Sequence, residues 1–331
     1  MQLITPVEPQ KSPITITHRS GILLLGSCFA QNIGNRLTGY KFNACINPFG
    51  IIYNPLSIST ALHRICSGKE FDAQEPLFFE YNGKWHSALH HGDFSRDSAA
   101  ELADAVNDSL RKAHAMIKEA EVVVITFGTA YAYERTCDNV VVGNCHKLPA
   151  SHFTRRLLSI AEITEAIGRN IEEIAATNPG VRFLFTVSPI RHLRDGAHGN
   201  QLSKSTLLLA IAELEKRYPQ HTAYFPAYEI VLDELRDYRF YAEDMTHPSA
   251  TAVEYIWEKF SESLISPESR KLNAEIEEIA RALAHRPFDE KSSAYAAFLK
   301  RTGEKIASIA ERHPYLDFEK EKEKCNIQLV K

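Results

Sequence analysis

Two short stretches of the chain carry residues that could make and break acyl bonds. The first is GILLLGSCFAQNIGNRL, residues 21–37, where an apolar run stops at Gly26 and Ser27 and Cys28 follow side by side before a helical segment. Either side chain could attack a carbonyl, the serine with an adjacent base and the cysteine with less help. At the turn from a buried strand into a helix, a nucleophile stands at the sheet edge. The helix start favours negative charge there and lowers a thiol pKa. The competing reading is structural: an N-cap serine followed by a buried cysteine. The second stretch is DYRFYAEDMTHPSATAVEYIWEKF, from residue 237, which sets Asp244 and His247 three apart with Pro248 at a helix start. A carboxylate at that spacing holds an imidazole in one tautomer and stabilises its protonated form, as Asp does for His in a nucleophile–His–Asp triad. Alone, Asp-x-x-His is a weak signal. A nucleophile after the first strand combined with Asp-x-x-His-Pro before the last helix of the α/β part is far more specific.

Those residues need a frame. Short β-branched or leucine-rich runs at 22–25, 42–46, 122–126, 181–187 and 221–226 predict buried strands. Between them, residues 101–120 and 161–180 place apolar residues at helical spacing, the latter ending in Asn178-Pro179-Gly180, a helix stop. Residues 203–219 fill the next gap, with Ser203 or Ser205 as the cap. Strands alternating with helices predict an α/β fold, a mostly parallel five-stranded sheet covered on both faces. Such sheets bind ligands at the carboxyl ends of their strands. The polar clusters GSC, NPFG, FGTAYAY and SPIRHLRDGAHGN each follow a predicted strand. The organisation expected is a lead-in over 1–20, the α/β domain over 21–264 and a C-terminal helical appendage over 265–331. The appendage contains two amphipathic helices, EIEEIARALAHRP and SAYAAFLKRTGEKIASIAERHP, and the charged tail EKEKEKC with a frayed end.

The bulk numbers narrow the class. With 331 residues, 44% of them apolar, the chain buries a substantial core. A net charge of -4 argues against a nucleic-acid or anionic-membrane surface. The N-terminus lacks the apolar core of a signal peptide, and no run approaches the roughly eighteen apolar residues of a membrane span. Six cysteines without CxxC pairing favour reduced thiols, so a soluble cytoplasmic protein is expected.

Through the motif Gly26-Ser27-Cys28-Phe29-Ala30 the chain is identified as a member of the GSCFA domain family. The resemblance covers roughly residues 20–320, including INPFGIIYNP, TFGTAYAYE, NCHKLPASHF and SPIRHLRDG. The wider pattern resembles the SGNH (GDSL-type) esterase superfamily, whose fold is a three-layer, flavodoxin-like α/β/α sandwich. That second resemblance rests on four short blocks. YAEDMTHP is similar to the superfamily's Asp-x-x-His-Pro block, which implies His247 as base and Asp244 as its partner. The glycine amide that the superfamily contributes to an oxyanion hole implies Gly50 in NPFG, with Asn47 within reach of the same loop. The third block departs from the pattern: Ala130 stands where the superfamily has an oxyanion-hole Asn. Losing one such donor costs about 3 kcal/mol of transition-state stabilisation. Either Thr129, Asn144 or His146, all nearby in sequence, replaces it, or hydrolysis is poor. Aligned without a gap, the first block puts Cys28 at the nucleophile position and Ser27 where the superfamily has Asp; a one-residue bulge restores Ser27.

Three further clusters need a reading. HSALHHGD holds His86, His90, His91 and Asp93; on a helix the His86/His90 spacing could bind a metal, but NGKW before it and Gly92 within it suggest a strand and a loop lining the substrate mouth. SPIRHLRDGAHGN carries Arg191, His192, Arg194 and His198, which suit a carboxylate or phosphate on a substrate, or else form a solvated loop with an Asp195–Arg pair. Asn144, His146 and Lys147 form another loop. Together these features imply an ester hydrolase or acyltransferase working through a covalent acyl-enzyme on a small-molecule or glycan-type acyl substrate, with no cofactor or metal. The rival is a non-catalytic binding or scaffold protein on a degenerate esterase fold, for which Ala130 is the main argument. A metal-dependent hydrolase built on His86 to Asp93 is a third reading.

Overall fold

The structure is a computed structural model that describes residues 5–10, 12–289 and 291–330. β1 (Gly21–Gly26) leads into α1 (Cys28–Gly39), then β2 (Ala44–Ile46) and α2 (Pro55–Ser67). A hairpin of β3 (Phe78–Tyr81) and β4 (Lys84–Ser87) precedes α3 (Ala99–Glu119) and β5 (Ala120–Phe127). A second hairpin, β6 (Tyr131–Arg135) and β7 (Phe153–Leu157), precedes α4 (Ile160–Thr177), β8 (Arg182–Val187), α5 (Gly196–Arg217) and β9 (Thr222–Tyr224). The short α6 (Ala227–Glu229) runs into a π turn, Ile230–Glu234, before α7 (Ala250–Leu264). Three helices close the chain: α8 (Pro267–Ala284), α9 (Ser293–Arg312) and α10 (Glu319–Val330).

Five strands form one parallel sheet in the order β2-β1-β5-β8-β9, a doubly wound arrangement between two helical layers. The alternation within β1 shows why. Ile22 and Leu24 point to the layer of α1 and α7, against Phe29, Ile33 and Trp257. Leu23 and Leu25 point to the layer of α2 to α5, against Leu62, Val106 and Leu207. A strand with apolar residues at both parities must be covered on both faces. Each fully buried aliphatic side chain contributes roughly 1.5–3 kcal/mol. Because β2 is added on one side of β1 and β5, β8 and β9 on the other, the direction in which strands are added reverses between β1 and β5 while all five stay parallel. In open sheets of this kind such a switch point is where a crevice forms at the carboxyl edge.

Local chemistry sets several boundaries. Ser159 and Glu162 form a capping box at the start of α4. Asn82 and Gly83, with φ of 51° and 71°, make the two-residue turn of the β3–β4 hairpin. Three expectations need correction. α5 begins at Gly196 rather than at a cap on Ser203 or Ser205, so residues 196–200 are helical and not loop. Two glycines weaken this first turn by propensity, and buried contacts of Asn200 and Ser203 hold it instead. β2 is a half-buried edge strand of three residues rather than a buried one. The charged tail is a third C-terminal helix. Phe318 and Cys325, seven residues and two turns apart, are both buried with Leu272, Ile276, Leu299 and Ile306, and the Cys325 thiol donates to the Leu299 carbonyl at 3.1 Å. This helical unit meets the sheet domain through an Ile16–Ile265 bridge and a Lys41–Glu321 ion pair at 2.9 Å. Among the described residues no helix is long and apolar enough to cross a membrane.

Candidate functional site

At the crevice, Gly26 lies opposite Thr126 as β1 and β5 end. Its φ is 138°, and a Cβ would stand 2.2 Å from the Thr126 carbonyl oxygen, so only glycine lets the strands part here. Ser27 caps α1: its buried Oγ accepts the Phe29 amide at 3.2 Å. Cys28 is the first residue of the helix and is half-buried. Burial pushes its thiol up, opposed in part by its own backbone amide. The resting thiol is therefore neutral, and its place at a helix start does not by itself make a thiolate. Asn47 braces this turn: its Oδ1 accepts the Gly26 amide at 2.9 Å and its Nδ2 donates to Gln31 at 3.1 Å.

Asp244 and His247 meet within a tight turn closed by a Tyr241–Pro248 bridge and by the Ala242 amide on the His247 carbonyl at 2.8 Å. Asp244 Oδ1 accepts the amides of Thr246 and His247, both at 2.9 Å, and Oδ2 accepts His247 Nδ1–H at 2.5 Å. The His247 amide, then the Thr246 amide, then the imidazole hold the Asp244 carboxyl well below the usual carboxylate range. Both side chains are about half exposed, 50% and 48%. The proton on Nδ1 is thus fixed, which leaves Nε2 as the acceptor. Among the described residues no hydrogen bond joins this ring to Ser27 or Cys28. The turn nonetheless belongs to the same sheet edge. Arg191, just beyond β8, donates its amide to the Thr246 carbonyl at 3.0 Å and Nη1 to the Met245 carbonyl at 3.2 Å. α1 and α7 descend side by side from that edge, joined by an Arg36–Glu254 ion pair.

The expected oxyanion donors Gly50, Thr129 and Asn47 have partners inside the protein. The Gly50 amide donates to the Asn47 carbonyl at 2.7 Å. The Thr129 amide lies 3.3 Å from the Tyr53 carbonyl, which also accepts the Gly128 amide at 2.8 Å. Asn47 Nδ2 is on Gln31. Ala130 is fully buried, and its amide donates to Ser203 Oγ at 2.8 Å. Asn144 differs: its Oδ1 accepts the His146 amide at 2.7 Å, while its Nδ2 has no partner among the described residues. The loop that carries it is strained, with φ of 48° at His146 and 61° at Lys147.

The GSCFA family matches residues 21–260, and the GSCFA domain protein, C-terminal domain, matches residues 276–331. The chain belongs to the GSCFA family. No curated protein matches it in sequence.

The remaining candidate residues of this GSCFA protein separate into two places. Arg191 and His192 lie at the crevice edge. The His192 ring is tilted 5.8 Å from that of Tyr53, its Nε2 is buried without a partner among the described residues, and burial pushes its pKa down to about 4. Asp195 pairs with Arg155 of β7, which stacks 3.9 Å over Tyr131, while Leu193, Arg194 and residues 196–198 of the same segment are exposed, as in the reading of a solvated segment with an Asp195–Arg pair. His90 and His146 lie in the interior of the 68–98 insertion and its neighbour. His90 is fully buried, stacked 4.2 Å on Phe49 with Nδ1 at 2.8 Å from Ser87 Oγ, and does not line a substrate mouth. His146 Nε2 binds the Ser87 carbonyl at 2.8 Å. His86 bonds Ser95 at 2.7 Å and His91 pairs with Asp93 at 3.1 Å. Each ring has its own partner. Among the described residues no three His, Cys, Asp or Glu side chains converge as metal ligands. A separate cavity of about 620 Å³, beneath the C-terminal helices, is lined by His18, Lys41 and Asn43 at the opposite, amino-terminal edge of the sheet.

Lys204, at the same sheet edge as the candidate site, is a buried charged residue that motif reasoning missed. Only 1% exposed, it donates from Nζ to the carbonyls of Gly128 and Ser188, both at 2.7 Å, and so ties the carboxyl ends of β5 and β8 together. Its signal in the sequence is phase: it shares a helical face with Leu207, Ile211 and Leu214. Burial pushes the ammonium down to about 7. Between that value and the usual lysine range, the unfolded chain holds a proton that the folded chain lacks, so stability rises with pH across this window. Lys204→Met is expected to lose about 1–3 kcal/mol for each stranded carbonyl and to flatten that rise. Melting temperatures from pH 7 to 10 for both proteins check it; parallel curves would refute it.

Proposed function

We propose that this GSCFA protein transfers an acyl group from an ester or thioester through a covalent thioester on Cys28. His247 is the general base and Asp244 its orienter. The observation that carries this reading is the Asp244–His247 pair, with the imidazole proton fixed on Nδ1 and Nε2 open, at the sheet edge where α1 presents Cys28. Ser27 is occupied as the helix cap, which favours the neighbouring thiol as nucleophile. The resemblance to SGNH esterases supports the same roles.

In the reaction, Nε2 takes the thiol proton as sulfur bonds to the carbonyl carbon and the π electrons move to oxygen. The tetrahedral intermediate then expels the alcohol or thiol, which takes the proton back from the imidazolium. Water, or a sugar or other hydroxyl, attacks the thioester with the same base and releases acid or a new ester. The Cys28 amide at the helix start and Asn144 Nδ2 supply the oxyanion donors in place of the missing asparagine. The six free cysteines support a reducing, cytosolic setting. Asp244→Asn keeps acceptors for the two amides but loses the hold on Nδ1–H. It is expected to lower turnover by about 10²-fold or more while the fold survives, read by ester hydrolysis alongside circular dichroism.

A second reading, a binding protein without chemistry, is favoured by the internal partners of Gly50, Thr129 and Asn47. One experiment separates the two. The protein is labelled over time with iodoacetamide and, separately, a fluorophosphonate, and adducts are located by peptide mass spectrometry in wild type and His247→Ala. Fast labelling at Cys28 that collapses in the variant supports the enzyme. Labelling at Ser27 moves the nucleophile by one residue. Slow labelling spread over exposed thiols and indifferent to His247 supports the binding protein.

A further inference from the structure

Beside the Asp244–His247 turn runs a groove of mainly apolar lining. Its inner recess, of about 140 Å³, lies among Leu193, Tyr228, Val231 and Tyr241. Its outer part, of about 420 Å³, continues past Leu232 and Tyr238 and is also lined by the charged side chains of Arg191, Asp233, Arg236 and Asp237. Three large apolar side chains that line it are held in solvent: Leu193 at 47% exposure, Leu232 at 37% and Tyr238 at 67%. Met245 in the adjoining turn adds a fourth at 45%. A monomeric domain gathers such side chains at one place when something covers them. Val231 and Leu232 sit in the π turn Ile230–Glu234, an irregularity that recurs at functional sites. The groove is tied to the turn that carries the dyad, because Arg191, which lines both parts, donates to the carbonyls of Met245 and Thr246.

We propose that this groove receives the apolar chain of a medium-length acyl group, so that the substrates of this GSCFA protein are medium-chain esters or thioesters rather than acetyl esters. The assignment rests on the acyl-transfer reading. A groove that narrows into a recess walled by aliphatic and tyrosyl side chains suits a flexible chain. Its volume is that of a small-molecule site, and Arg191 and Tyr241, which line it, also hold the turn that carries His247, so a chain seated here has its carbonyl end toward that turn.

The test uses the full chain with p-nitrophenyl acetate and p-nitrophenyl octanoate, together with calorimetric titration of octanoate. Each seated methylene contributes roughly fourfold, so octanoate is expected to exceed acetate in kcat/KM by at least about 50-fold. Leu232→Asp is expected to lower the octanoate value by about tenfold or more and to leave acetate within about twofold. Tyr238→Ser, at a more exposed position, is expected to do the same to a smaller degree, and serves if Leu232→Asp fails to fold. Equal turnover of both esters, with the variants affecting both alike, overturns the groove and leaves the acyl-transfer reading standing. Octanoate binding that Leu232→Asp abolishes, with no ester turned over, supports the groove and overturns the acyl-transfer reading. Neither turnover nor binding overturns both.

Discussion

His247→Ala is expected to lower acyl transfer by about 10²–10⁴-fold and to collapse the labelling of Cys28 with it. The size follows from the state of the thiol. Burial pushes Cys28 up, so the resting side chain is neutral and attacks only as a base removes its proton. The imidazole acts twice, first taking the thiol proton and then returning it to the leaving group, and alanine removes both roles. Cys28→Ala should leave no thioester at all, whereas Cys137→Ala, at an exposed thiol, should change nothing. The measurement is octanoate ester hydrolysis, with intact-protein mass spectrometry for the acyl adduct. Turnover in His247→Ala equal to wild type would remove His247 from the mechanism.

The second large effect concerns acid. Burial pushes four imidazoles down from the ordinary histidine value, His18 to about 4, His90 to about 3, His146 to about 4 and His192 to about 4. The sign is fixed by which state holds the protons. As pH falls below 6.5 the unfolded chain takes them up, while the folded chain keeps these rings neutral down to about 4, so stability is lost progressively across that window. Allowing for solvent relaxation around the less buried rings, each contributes on the order of 1 kcal/mol at pH 5, against a total of about 5–15 kcal/mol for a domain. A melting temperature lower by many degrees at pH 5 than at pH 7.5 is expected. His90→Phe should reduce the drop, because it keeps a ring against Phe49 and removes the most deeply buried imidazole. A melting temperature that does not change between pH 7.5 and 5 would contradict the account.

How much of this could be read beforehand follows from the range of each interaction. The sequence by itself determined the α/β class, the five sheet strands and the Asp244–His247 spacing, and it offered the Ser27 cap as one of two readings. Burial on both faces demands continuous apolar runs such as ILLL and VVVIT. A cap bonds two residues ahead, and Asp-x-x-His closes over three, so these contacts are nearly dictated by spacing. Only the tertiary structure decided the rest. It put the Asn47 amide oxygen on Gly26, 21 residues away. It put the Ala130 amide on Ser203 and the Lys204 ammonium on Gly128, each across more than 70 residues. It turned His90 into a core residue under Phe49, carried an apparently solvated tail onto α9 through Phe318 and Cys325, and opened a groove beside the dyad from residues of four separate segments. A local pattern specifies which face of an element is apolar. It does not specify which distant carbonyl or amide that face will meet, and a site built at a sheet edge consists mostly of such meetings.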